Sequence, residues 1–197
     1  VGSFHTIDAW LLHGGRYHDV EVVTTLEYQD TNGQHEIITA DRQTPLDKKF
    51  GTQSSLAPGP VNVPHRSYEA RLDVAKGDWR WRAGLQQRQQ IGTGAGIFSA
   101  LDPLGQFRSQ RLNTDLTYHQ PHWTPHWEVT AQGSYFRNLW GSENPSILLP
   151  PGAGGGVFPE GQQSQAQAIE QHWRFSLSAF YTGLPNHLVR LETGYVN

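Results

Sequence analysis

The 197-residue sequence contains no cysteine and no methionine. The first absence excludes a disulfide framework, a thiolate metal site and a cysteine nucleophile, and it is compatible with many compartments. No run approaches the roughly 18 consecutive apolar residues of a membrane-spanning helix. The first twenty residues also lack the basic-then-apolar order of a signal peptide. Charge of one sign is scarce too. The net charge is -3, and the fifteen Lys and Arg are scattered, so no basic stripe marks a nucleic-acid partner. The chain begins at Val1 and ends at Val196-Asn197 in what reads as mid-strand, so the frame is expected to continue on both sides.

Aromatics carry the apolar content: seven Trp, seven Tyr and eight Phe within a hydrophobic fraction of 36%. Their spacing has period two. Tyr68, Ala70, Leu72 and Val74 alternate with Glu69, Arg71 and Asp73, and Trp79, Trp81, Ala83 and Leu85 alternate with Arg80, Arg82, Gly84 and Gln86. This is strand periodicity, and Lys76-Gly-Asp78 joins the two runs as a hairpin.

A second hairpin pairs Leu112–Tyr118 with Trp127–Tyr135 across a turn at 120–125. A third pairs Trp173–Tyr181 with Val189–Tyr195, and a less regular one runs from about Phe4–Leu12 to Val20–Tyr28. The connections between hairpins, roughly 31–66, 92–109 and 139–168, are far longer than the turns within them.

Short and long connections alternate strictly, and the strands are about ten residues long, as a tilted membrane-crossing strand requires. On the apolar face Trp79, Tyr118, Trp127 and Tyr181 sit beside the short turns, while Tyr28, Tyr135, Tyr195 and Tyr68 sit near the opposite strand ends. These are candidate membrane-interface aromatics. The eight residues from Trp127 to Tyr135 span about 26 Å, or about 20 Å of height at a tilt of about 40°, close to the apolar band of such barrels. The other face is rich in Arg, Glu, Gln, Asn, Ser and Thr, as a hydrated lumen tolerates. The fold expected is therefore all-β: an antiparallel transmembrane β-barrel segment of about eight strands in four hairpins, with short periplasmic turns and long extracellular loops. A soluble β-sandwich alternates in the same way and stands as a competing fold.

Motifs for chemistry are weak. Gly92-x-Gly94-x-Gly96 lacks the G-x-G-x-x-G spacing of a dinucleotide site and follows an amide-rich, charged strand, so these glycines serve the backbone of a long loop. Gly152–Gly156 lacks the Lys-Ser/Thr of a phosphate loop. His119, His122 and His126 lie in a Pro-containing turn without the helix or carboxylate of a zinc site, so no metal and no cofactor are expected. No nucleophile elbow is present, although Ser176 or Ser178 with a lumenal His is conceivable, and the chain is not expected to be an enzyme.

The run "YEARLDVAKGDWRWRAGLQQRQQIGTGAGIFSALDPLGQFRSQRLNTDLTYHQPHWTPHWEVTAQGSYF", with "APGPVN" at 57–62 and "SLSAFYTGLPNHLVRLETGY" at 176–195, resembles the middle barrel strands of TonB-dependent outer-membrane receptors. The resemblance covers nearly the whole chain and is weakest in 1–20 and in the loops. It implies that residues 1–197 form part of one receptor barrel of 22 strands, without the plug domain. It further implies location in the bacterial outer membrane among its lipid, and uptake of a scarce ligand such as a ferric siderophore, cobalamin or glycan. The TonB energy-transducing complex would act through the absent N-terminal parts, and an extracellular small molecule would be the ligand. Aromatic and cationic residues of the long loops are then the candidate ligand contacts: Phe50, Arg66, Phe107, Arg108, Trp140 and Phe158. The alternative is a complete small eight-stranded outer-membrane barrel, structural or enzymatic, without a plug.

Overall fold

A computed structural model describes residues 3–197; Val1 and Gly2, with which the expected domain begins, lie outside it. A short 3-10 turn at Ser3–His5 leads into β1 (Ile7–Tyr17), β2 (Val20–Thr31) and a two-residue strand β3 (Ile37–Ile38). Helix α1 (Thr44–Phe50) and β4 (Gly59–Pro60) follow, then β5 (His65–Lys76), β6 (Trp79–Gly92), β7 (Gln106–Thr124) and β8 (Trp127–Asn144). Short strands β9 (Ser146–Leu149) and β10 (Gln162–Ser164) precede β11 (Gln167–Tyr181) and β12 (Val189–Val196). Among the described residues no helix is long and apolar enough to cross a membrane.

Eight of these strands form one antiparallel sheet in the order β1-β2-β5-β6-β7-β8-β11-β12, so each strand pairs with its neighbours in sequence. The register places the alternating residues of every strand on common faces. Leu11, Leu26, Ala70, Leu85 and Leu112 form one row across five strands, and Glu27, Glu69, Gln86 and Arg111 form a row on the other face.

The edges of this sheet are β1, which pairs with β2, and β12, which pairs with β11; they do not join. The expected transmembrane barrel is therefore corrected to an open sheet. Period-two alternation fixes the two faces of a sheet, but it carries no information on whether the last strand returns to the first. The complete small eight-stranded barrel falls with closure.

Two boundaries also shift. The turn read at 120–125 is largely strand, because β7 runs on to Thr124 and leaves Pro125 and His126 as the turn. Proline at 121 has no N–H to give the ladder, and the pairing skips from Gln120–Val129 to Thr124–Trp127. In β6 a bulge between Arg88 and Ile91 takes up extra residues. Gln90 there has φ of 53°, and its N–H donates to Glu143 Oε2 at 2.8 Å.

Packing is unevenly distributed. Among the described residues the buried apolar side chains are Ala100, Leu101, Pro150 and Ala153, all in loops. Large apolar groups of the sheet, including Leu11, Leu26, Leu85, Leu116, Phe175 and Leu191, stand exposed on its apolar face.

Candidate functional site

The polar face carries fixed charges in rows. Arg82 donates to Asp115 Oδ1 at 2.8 Å from the neighbouring strand, and Gln132 reaches the same oxygen at 3.3 Å from the next. Arg80 donates to Asp73 Oδ1 at 2.9 Å and holds that carboxyl below its usual range. Arg71 pairs with Glu69, which also accepts from Gln86 Nε2 at 2.9 Å. Arg82–Asp115 and Gln86–Glu69 join opposite residues of adjacent strands, Arg80–Asp73 joins β6 to β5 diagonally, and Arg71–Glu69 links two same-face residues of β5.

Between them lies an open hollow of about 560 Å³ lined by Glu69, Arg71, Asp73, Arg82, Arg111 and Asp115 among others. Its floor is shaped by Gly84. The Asn113 amide oxygen lies 2.8 Å from where a Cβ would stand, so the amide rests over the strand. Among the described residues Arg111 is in no ion pair, and it sits over the Phe136 ring, 6.0 Å from its centroid.

The three long loops assemble at one end of the sheet around carboxylates, Asp102 buried and Asp41 and Asp47 half-buried. Asp41 accepts from the N–H groups of Gln43 and Thr44, each at 3.0 Å, and so starts α1. Its other oxygen accepts from Leu101 N at 2.9 Å, which ties the first loop to the second. Asp102 accepts from Gly105 N at 2.8 Å within its own loop and from Ile147 N at 3.0 Å in the third. Asn62 closes the set by donating to the carbonyls of Asp102 and Gly105 at 2.9 and 2.8 Å. Asp47 accepts from Ser54 N at 2.9 Å and Ser55 N at 2.7 Å. Burial alone would raise the Asp41 and Asp47 carboxyls, but these hydrogen bonds outweigh it and hold both below the usual range.

The candidate ligand contacts do not converge. Phe50, at the end of α1, lies against Gly155 with Lys49 Nζ 5.2 Å from its ring centroid, and Phe158 bridges to Ala153; both pack the loop assembly. Arg66 pairs with Asp30 at 2.9 Å, on the apolar face, and thereby keeps Asp30 below its usual range. Phe107 and Trp140 meet edge to face at 6.3 Å on the polar face, while Arg108, opposite Gly141, points to the other.

The candidate interface aromatics pair across strands: Trp79 with Tyr118 at 4.9 Å, Trp127 with Tyr181 at 4.8 Å, Tyr28 with Tyr68 at 5.2 Å and Tyr135 with Trp173 at 4.4 Å. Tyr195 lies opposite Phe175. His119, read as a turn histidine, is in β7 with Nδ1 2.9 Å from Thr130 Oγ1. Among the described residues no group of His, Asp or Glu is placed to hold a metal. Gly94 and Gly96 have φ of 68° and 95°, in keeping with their reading as loop glycines.

Sequence reasoning missed Asp41, Asn62 and Asp102. A local signal existed for two of them: Asp41-x-x-Thr44 is a helix start, and Asp102-Pro-Leu-Gly105 is an Asx-type turn.

No family model matches the chain, and no curated protein matches it. The resemblance to TonB-dependent receptors is corrected accordingly. With it go the outer-membrane location and TonB-coupled uptake, which rested on that resemblance and on a closed barrel.

Proposed function

We propose that this protein is a binding module, not an enzyme, and that the polar face of its open sheet receives a small polar solute. The observation that carries this reading is the hollow of about 560 Å³ between the Arg71–Glu69, Arg80–Asp73 and Arg82–Asp115 pairs. Its charges are mutually held, which favours orienting a ligand over moving protons: Asp73, kept below its usual range by Arg80, is a poor general base near neutrality. Carboxylates match most of the guanidiniums on this face, which argues against a nucleic-acid partner.

Saturation-transfer NMR with glycylglycine, glucose, citrate and benzoate tests the reading. At least one of these should receive saturation from the protein, and Arg82→Ala and Asp115→Ala should reduce the transfer for solutes seated in the hollow by severalfold. No transfer to any of the four, or transfer untouched by every substitution on the polar face, would overturn it.

A further inference from the structure

Beyond the paired charges, the polar face holds a second hollow of about 410 Å³, where β2, β5 and β6 meet the first long loop. Arg88 is its one guanidinium, no carboxylate lines it, and Arg88 is in none of the ion pairs found among the described residues. Its opposite neighbour across the ladder is Ser109, which has no charge to offer.

The wall facing Arg88 is apolar. Val63 and Pro64 come from the loop and Ile91 from β6. The loop is pinned there by Gly92 N donating to Pro64 O at 3.0 Å, and it passes so close that a Cβ at Gly92 would overlap the Asn62 carbonyl oxygen. The remaining lining is polar and carries no carboxylate. Ser67 and Gln29 face each other across β5 and β2, and the His65 ring nitrogen Nε2 lies 3.0 Å from the Gln29 amide oxygen.

An unpaired guanidinium beside polar side chains and an apolar wall matches one kind of ligand. We propose that this hollow is a seat for a small monocarboxylate with an apolar body. Arg88 would take the carboxylate in a two-pronged hydrogen bond, and Val63, Pro64 and Ile91 would cover the body. A cation would meet uncompensated like charge, and a dianion would leave one charge facing the apolar wall. The proposal rests on the polar-face binding reading and narrows it to one position and one ligand class.

Calorimetric titration of the full chain with benzoate, and with benzylamine as the cationic counterpart, tests it. Benzoate should bind and benzylamine should not. Arg88→Gln should weaken benzoate at least tenfold, and Arg88→Lys should weaken it less, because charge remains while the fork is lost. Arg174→Gln, which removes a guanidinium from the same face in β11, should leave benzoate affinity within twofold. Arg88 is exposed, so near-ultraviolet circular dichroism of its variants should match that of the unsubstituted chain. The proposal is overturned if Arg88→Gln changes benzoate affinity less than twofold, if benzylamine binds as tightly, or if benzoate does not bind. Loss of benzoate binding in Arg82→Ala but not in Arg88→Gln would overturn the seat while leaving the polar-face reading standing.

Discussion

The sheet and the loops of this protein exchange the roles usual in β-domains. Loops commonly run over a core that strands build, yet here the largest fully buried side chains among the described residues, Leu101, Asp102, Pro150 and Ser146, belong to loop segments or to the short strand β9. The eight-stranded sheet is held by its backbone ladder and by cross-strand pairs, with large apolar groups exposed on one face. Long connections need not be floppy if carboxylates collect their backbone N–H groups, and a regular sheet need not contain a core.

The strongest way to break this contrast is Asp102→Ala. It strips the acceptor from the buried Gly105 N–H and from the part-buried Leu104 and Ile147 N–H groups, and at about 1–3 kcal/mol for a buried donor left unpaired the loop assembly should lose at least about 2 kcal/mol. Amide exchange should accelerate in the loops while the β6–β7 ladder keeps its protection; equal acceleration in both would show that sheet and loops open together.

Acidification separates the regions by a gentler route. Asp41 and Asp47 are held below their ordinary value of 3.8, so their contribution is present above that pH and is lost as pH falls through the lowered values. Exchange at Ser54, Ser55 and Leu101, corrected for its intrinsic pH dependence, should therefore rise below about pH 4. The partly exposed ion pairs of the sheet contribute little each, so the ladder should respond less. A loop assembly unchanged down to pH 2 would refute the assignment.

The smallest effect is expected on the sheet. Trp79→Ala removes a half-exposed ring from its pair with Tyr118 and should cost about 1 kcal/mol in thermal or denaturant unfolding. A cost of several kcal/mol would mean that this face is covered.

How much of this was legible in the sequence follows the same division. Alternation at Tyr68–Val74, Trp79–Leu85 and Leu112–Tyr118 is a local property, and the register confirms that these residues share a face. Closure is not local, and the same alternation serves an open sheet. The loop assembly depends on contacts such as Asp41 with Leu101 and Asp102 with Ile147, separated by 60 and 45 residues, which no periodicity encodes. The candidate ligand contacts were chosen by residue type, and type does not say which element a side chain will meet. Phe50 met Gly155 and Phe158 met Ala153, both rings staying half-exposed, and Arg66 met Asp30. In the sequence Arg88 is one more charge in a polar strand, and its lack of a partner appears only when the neighbouring strands are in place.

In a regular strand, residues three apart point to opposite sides. Arg88 and Ile91 are three apart and yet line the same hollow, because the irregularity around Gln90 adds one to the count between them. The chain thereby changes parity within β6, and a single miscounted residue sets a cation and a hydrophobe side by side where the alternation rule would have kept them apart.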